Sequence, residues 1–378
     1  MEKRLISIDL MRGLVMVLML LDHVREIWSG AGVDPVDTLR TWPLLFATRW
    51  VTHLCAPTFV LLTGVSAFLR RSGRGLSAGR AGRELALRGL FLVALELTVV
   101  SLAWGRIVFL NGLLLQVIWA LGLGMVILAG LQFLPRPVVL ALSLAAVALH
   151  NLLPDLVTGN PATQLLWDVL HQKGIVAITP SWSVEVLYPI LPWFAVMALG
   201  WALGPLFLDP GRRRVRLVAL GLVGLGLFVG LRALNLYGDP SPWKGFPSLA
   251  RTVISFLNVE KYPPSLDFLC ATLGLCFLLL ALLDRFSPTA RHPLLVFGRT
   301  PLFFYVVHLF ANIISAMAVW GIIKLGGSLF GFATLPIGGF PLWVVYLAWP
   351  LLLVPLYFAC RAWLDRKNPG KTWLGKFF

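Results

Sequence analysis

The chain has 378 residues, of which 58% are apolar and only 13% are charged. About a quarter of the residues are charged in a typical soluble domain, so this composition excludes a set of soluble domains and a disordered chain. The apolar runs extend over roughly 20 residues, the length of a membrane-crossing helix. Strands of a membrane barrel would instead alternate polar and apolar residues. The composition therefore indicates a polytopic integral membrane protein.

The apolar runs, taken in chain order, predict an all-α fold with about ten transmembrane helices. No long polar segment separates them, so we interpret residues 1–378 as a single transmembrane domain. The predicted spans cover residues 9–29, 43–69, 85–104, 108–130, 138–155, 181–204, 217–236, 265–284, 300–323 and 341–362.

The basic residues predict the orientation of these spans. The formal net charge of +15 comes from short loops between apolar runs, and no separate basic module of a nucleic-acid-binding type is present. When the spans are counted with the N-terminus inside, most Lys and Arg residues outside them fall on the cytoplasmic side. We therefore expect cytoplasmic termini, contact with membrane lipid and no nucleic-acid partner. The four cysteines form no CxxC pair, and we expect no metal site.

The first span carries ionisable residues, which are costly within a bilayer and usually functional. Arg12 and His23 are eleven residues apart, a rotation of three turns plus about 20°, so both face the same way. They are separated by about 16 Å along the helix. One helix face thus offers a guanidinium for an anion near the cytoplasm and an imidazole deeper in the membrane. Asp9 precedes Arg12 by three residues and is also placed to pair with it.

Five segments in order carry a resemblance to a known family. The first helix, RLISIDLMRGLVMVLMLLDHVREIW, resembles that of bacterial membrane proteins related to heparan-α-glucosaminide N-acetyltransferase. The wider acyltransferase family 3 has a similar Arg-x10-His helix. The other similar segments are TRWVTHLCAPTFVLLTGVSAFL, LYPILPWFAVMALG, KYPPSLDFLCATLG and GRTPLFFYVVHLF. The outer loops are short here, so the resemblance implies no particular acceptor.

The resemblance implies acyl transfer from cytoplasmic acyl-CoA to an acceptor reached from the other side of the membrane. Arginine suits the phosphates of CoA, and Arg12, Arg88 and Arg299 lie near predicted cytoplasmic helix ends. We expect these arginines to bind the donor, most simply acetyl-CoA. His23 is the candidate general base because histidine titrates near neutral pH, and Asp22 is a candidate to orient it. An acetyl-histidine intermediate is the alternative.

Other buried polar residues are assigned to the two substrates. Tyr305, His308 and Asn312 share one face of the ninth span by their spacing, and we assign them to the acyl-CoA tunnel. Arg49 and His53, four residues apart, either bind the acceptor or bond to another helix. The full set of expected acceptor-binding residues is Arg49, His53, Glu185, Tyr262 and Asp267.

Two further functions are consistent with the same residues. A secondary transporter or exporter would use the buried charges as a proton relay, and a non-enzymatic scaffold of the cell envelope would not need His23. The leading hypothesis is a membrane O- or N-acyltransferase that modifies a sugar or another hydroxyl or amine compound. The resemblance also suggests a homodimer and a bacterial cytoplasmic membrane.

Overall fold

The computed structural model describes residues 5–29, 34–106, 111–330 and 339–366, with the backbone alone for 326–330. The chain is mostly helical. In chain order its α-helices are α1 (Ile6–Ser29), α2 (Pro43–Thr52), α3 (Cys55–Gly73), α4 (Ala78–Leu95), α5 (Ser101–Ala103), α6 (Val117–Leu131), α7 (Arg136–Leu149), α8 (Pro161–Leu170), α9 (Ile190–Ala202), α10 (Pro210–Leu234), α11 (Leu249–Leu257), α12 (Leu266–Leu283), α13 (Pro293–Arg299), α14 (Pro301–Phe330) and α15 (Leu342–Arg366).

The helices belong to two compact units. The first unit comprises mainly Ala56–Trp243 and Val259–Phe286. The second unit comprises Ile8–Cys55, Lys244–Asn258 and the described residues from Ser287 onwards. The prediction of a single domain over the whole chain stays a prediction.

The first unit contains a three-stranded sheet that the sequence prediction missed. Its strands are β1 (Gly112–Leu115), β2 (Gly174–Thr179) and β3 (Trp182–Val186), in the order β1-β3-β2. β1 runs parallel to β3, and β2 pairs with β3 in the antiparallel direction. β1 and β3 therefore lie within two of the predicted spans, 108–130 and 181–204.

The sequence of β3 contained the signal for this strand. Val184 and Val186 are buried and alternate with half-buried Ser183 and Glu185, which is the period of a strand. Their apolar side chains form a small core with Leu115 of β1. This period was hidden because the apolar run continues directly into α9.

Seven helical stretches of the described chain are long and apolar enough to cross a membrane. The predicted count of ten is therefore not confirmed, and the orientation stays a prediction. α1 has 24 residues, about 36 Å of helix, but its charged residues keep it outside this set. The seven stretches are Pro43–Gly73, Ala78–Ala103, Ile190–Leu208, Pro210–Leu234, Leu266–Leu283, Pro301–Leu325 and Leu342–Arg366.

In the second unit, α1 and α13 approach each other to backbone contact. A Cβ atom added to Gly13 would lie 1.9 Å from the carbonyl oxygen of Leu294. A Cβ atom added to Gly298 would lie 1.8 Å from the carbonyl oxygen of Asp9. Only glycine allows this approach at both positions. This close contact fixes the position of α1 beside α13, whose last residue, Arg299, contacts Asp9 of α1.

We expect Gly298→Ala to destabilise the protein by about 1–3 kcal/mol, because the added methyl group overpacks a backbone contact. Gly321→Ala in α14 is the matched control, since a Cβ atom there has nothing within 4 Å. Thermal unfolding in detergent should show a lower Tm for Gly298→Ala and no loss for Gly321→Ala. Equal Tm values for the two variants would contradict the backbone contact between α1 and α13.

Candidate active site

At one end of α1 a buried carboxylate lies between two arginines. Asp9 is 1% exposed, and its Oδ1 lies 3.4 Å from Nη1 of Arg12. Its Oδ2 lies 3.5 Å from Nε of Arg299, the last residue of α13. Both guanidinium groups therefore contact the same carboxylate. Their side chains are 19% and 24% exposed, so this end of the unit is suited to bind an anion.

Further along α1, His23 is joined to a second histidine. Its Nδ1 lies 2.7 Å from Nε2 of His308 in α14. The two rings are nearly parallel, with 11° between their planes and 5.0 Å between their centroids. His308 is fully buried and also packs against the rings of Phe304 and Tyr305. His23 is half-buried.

The hydrogen-bond network assigns the protons of this histidine pair. Nδ1 of His308 lies 3.0 Å from the carbonyl oxygen of Phe304, which can only accept, so this nitrogen donates. In a neutral His308 ring, Nε2 is then the acceptor, and Nδ1 of His23 donates to it. Nε2 of a neutral His23 therefore carries the lone pair. This is the arrangement of a general base whose other nitrogen is held by a partner.

A second pair of side chains joins the same two helices one turn further on. Nε1 of Trp28 in α1 donates to Oδ1 of Asn312 in α14 at 2.9 Å. Asn312 lies four residues beyond His308 and is also fully buried. The structure therefore places Tyr305, His308 and Asn312 on one buried face, as their spacing predicted, and brings His308 to His23.

Asp22 takes part in a different network of the second unit. Its carboxylate accepts hydrogen bonds from Arg25 at 2.6 Å, Arg49 at 2.8 and 3.1 Å and Thr52 at 2.8 Å. Adjacent residues of a helix point about 100° apart, so Asp22 and His23 serve different neighbours. The contacts join α1 to α2. His308 holds Nδ1 of His23, and the role of Asp22 in orienting His23 stays a prediction.

Arg25 is a residue of this network that the sequence analysis missed. Its guanidinium is almost fully buried, and its Nη1 has no hydrogen-bond partner within the described chain. The spacing of three residues from Asp22 was the available signal. Arg25 and Arg49 both form an ion pair with the carboxylate of Asp22.

Arg49 lies in the last turn of α2 and His53 caps its C-terminal end, and the expectation that they share one face stays a prediction. α2 ends at Thr52, His53 follows the helix end, and α3 begins at Cys55. The cause is Pro57, which has no N–H to bond the carbonyl of His53 and whose ring would clash with that carbonyl in a continuous helix. His53 is 2% exposed. Its role in acceptor binding stays a prediction.

The remaining predicted site residues belong to the first unit. Arg88 is half-buried in α4. Glu185 of β3 forms an ion pair with Arg106. Tyr262 packs edge-to-face against Tyr188 at 5.3 Å between centroids, and Nζ of Lys261 lies 4.9 Å from its ring centroid.

Asp267 lies in the first turn of α12 and is buried at 1% exposure. Its backbone N–H donates to the carbonyl of Gly238 at 2.9 Å. Gly238 has φ +113°, and a Cβ atom there would lie 2.4 Å from Oδ1 of Asp267. The loop before α12 therefore packs tightly on this carboxylate, and its contact with an acceptor stays a prediction.

No group of three or more His, Cys, Asp and Glu side chains in the described ranges is placed to hold a metal ion. The expectation of a metal-free protein stays a prediction.

Comparison with protein families identifies a match to residues 4–238. The matching family is described as heparan-alpha-glucosaminide N-acetyltransferase, catalytic. No curated protein is similar enough to this chain to be matched. The matched segment contains Arg12 and His23 but ends before Arg299 and His308, so the resemblance of the later segments stays a prediction. Because the match covers more than half of the chain, the chain belongs to the heparan-alpha-glucosaminide N-acetyltransferase family, and this membership implies acetyltransferase activity.

Proposed function

We propose that the chain transfers an acyl group, most simply acetyl, from cytoplasmic acyl-CoA to a sugar or another hydroxyl or amine acceptor at the outer face of the membrane. The observation that carries this proposal is the bond between Nδ1 of His23 and Nε2 of His308. It leaves Nε2 of a neutral His23 as the nitrogen that accepts the proton. Family membership supports the acetyl group and the acetyl-CoA donor.

Each group of residues has a part in this proposal. Arg12 and Arg299, which share Asp9, bind the phosphates of the donor. Arg88 is proposed as a further contact to the donor. A thioester is already activated, so the enzyme needs chiefly to position the acceptor and remove its proton. His23 takes that proton and returns it to the departing CoA thiolate.

Five polar residues are proposed to bind the acceptor. Buried charges of this kind are costly in a membrane and usually functional. The proposed residues are Arg49, His53, Glu185, Tyr262 and Asp267. We also propose that the protein is a homodimer in a bacterial cytoplasmic membrane. Its function does not involve nucleic acid.

The test is acetyl-CoA binding and turnover by the full chain in nanodiscs. We expect saturable binding by calorimetry, and release of CoA thiol when an acceptor such as D-glucosamine is added. Amino sugars and sugars without an amine distinguish N- from O-transfer. No binding of acetyl-, succinyl- or longer acyl-CoA would contradict the proposal. Proton-coupled substrate uptake into proteoliposomes without CoA binding would instead support a transporter.

A further inference from the structure

The bond between Trp28 and Asn312 determines which way the Asn312 amide points. An indole N–H can only donate a hydrogen bond, whereas an amide offers an oxygen that accepts and a nitrogen that donates. Nε1 of Trp28 lies 2.9 Å from Oδ1 of Asn312. The amide oxygen is therefore held toward Trp28, and the NH₂ group is turned away from it. Trp28 is itself 5% exposed and packs against Phe340, so the donor is well fixed.

The NH₂ group of Asn312 has two hydrogens to donate. Asn312 is 0% exposed, and its Nδ2 atom has no hydrogen-bond partner in the ranges that the structure describes. Nearly all buried polar groups of folded proteins are hydrogen-bonded. Leaving such a donor unsatisfied costs about 1–3 kcal/mol. An acceptor oxygen of a bound molecule can satisfy a buried donor of this kind.

The position of Asn312 indicates which bound group that is. Asn312 and His308 are four residues apart on α14, about 6 Å along the helix and on the same face. His308 holds the proposed general base His23. The donor thus lies one helical turn from the histidine pair. Acyl transfer creates a negatively charged oxygen next to the reacting carbon, and buried N–H donors stabilise such an oxygen strongly.

We propose that the Asn312 amide donates a hydrogen bond to the carbonyl oxygen of the acyl group being transferred, and that Trp28 is the positioning residue that orients the amide. The inference rests on the proposed function. The acceptor oxygen or nitrogen forms a bond to the thioester carbon, and the π electron pair moves onto the carbonyl oxygen, where Asn312 binds it. That pair then re-forms the carbonyl, the carbon–sulfur bond breaks, and its electrons leave with the CoA sulfur. The acceptor proton passes through His23 to that sulfur, so atoms and charge balance.

The inference is tested with two unreactive CoA thioethers that differ at one carbonyl. S-(2-oxopropyl)-CoA has a ketone near the position of the acetyl carbonyl, and S-propyl-CoA has a methylene group in its place. We expect the native chain to bind the ketone about 2- to 12-fold more tightly, the range of one net hydrogen bond. This affinity ratio, measured by calorimetry, is insensitive to general loss of stability because both ligands meet the same protein.

Three substitutions then separate the donor from its orientation. Asn312→Asp keeps an oxygen for Trp28 and has nearly the same shape. Its carboxylate has no donor at a pH where it is ionised, so the affinity ratio measured there should fall to one or below. In Asn312→Leu the affinity ratio of the ketone to the propyl thioether should fall to about one. The same substitution should lower kcat with acetyl-CoA about 10²- to 10³-fold. Trp28→Phe removes the indole N–H while keeping a ring against Phe340, and the ratio should fall partway. Trp343→Phe, at an exposed position of α15, is the control and should change nothing.

The outcomes distinguish this inference from the proposed function. If the thioethers bind the native chain and the ratio is unchanged in Asn312→Asp and Asn312→Leu, the inference is overturned while the proposed function stands. A buried water on Nδ2 would produce that result. If neither thioether binds the native chain, the proposed function fails and the inference falls with it. The inference is supported if the ketone loses its tighter binding in both Asn312 variants and keeps it in Trp343→Phe.

Discussion

His23→Gln is expected to lower kcat for acetyl transfer about 10²- to 10⁴-fold, the usual contribution of a general base. The dissociation constant for acetyl-CoA should stay within about twofold, because the substitution leaves the Asp9, Arg12 and Arg299 cluster intact. Glutamine has a polar amide that can still bond to His308 but has no nitrogen lone pair suited to take a proton. Rapid-quench measurement of CoA release with D-glucosamine as acceptor separates the chemical step from binding.

The matched control for this prediction is His292→Gln. His292 precedes α13 in the same unit and takes no part in the histidine pair. Turnover that survives at more than half the native rate in His23→Gln would show that the base lies elsewhere. Radiolabelled acetyl that remains on the native chain after denaturation, and is absent from His23→Gln, would support the acetyl-histidine alternative.

Arg12→Ala and Arg299→Ala are each expected to weaken acetyl-CoA binding about 10-fold or more, since each would remove a charge-assisted hydrogen bond to phosphate. The remaining arginine keeps Asp9 paired in either variant, so the fold should persist. Arg12→Lys preserves the charge but not the planar fork, and its affinity should lie between those of the native chain and Arg12→Ala. Calorimetry at two salt concentrations measures the effect, and native binding should weaken as salt rises.

Two comparisons make the arginine prediction specific to phosphate. Arg291→Ala removes an equal charge from an exposed position of the same unit and should leave the affinity unchanged. S-acetylpantetheine without its phosphate should bind the native chain and both alanine variants alike. Unchanged acetyl-CoA affinity in both Arg12→Ala and Arg299→Ala would remove these arginines from the donor site.

The structure also shows where reasoning from local sequence patterns failed. Apolar runs cannot by themselves distinguish a buried strand from the start of a helix, so β1 and β3 were merged into predicted spans. The predicted span 43–69 also contains the short interruption between α2 and α3. Pro57 lacks the N–H that would bond the carbonyl of His53, and a proline is a signal that was present in the sequence.

The sequence by itself indicated the membrane class and the mostly helical fold, and it predicted that Arg12 and His23 lie on one face of the first helix. Composition and helical periodicity depend on residues that are close together in the sequence, so both can be obtained from the sequence directly. Residues hundreds of positions apart are brought together only by packing. The tertiary structure alone therefore decided that His308 holds Nδ1 of His23 and that Asp9 lies between Arg12 and Arg299. Trp28 and Asn312 are 284 residues apart, and their bond depends on how α1 packs along α14, which no spacing in the sequence specifies.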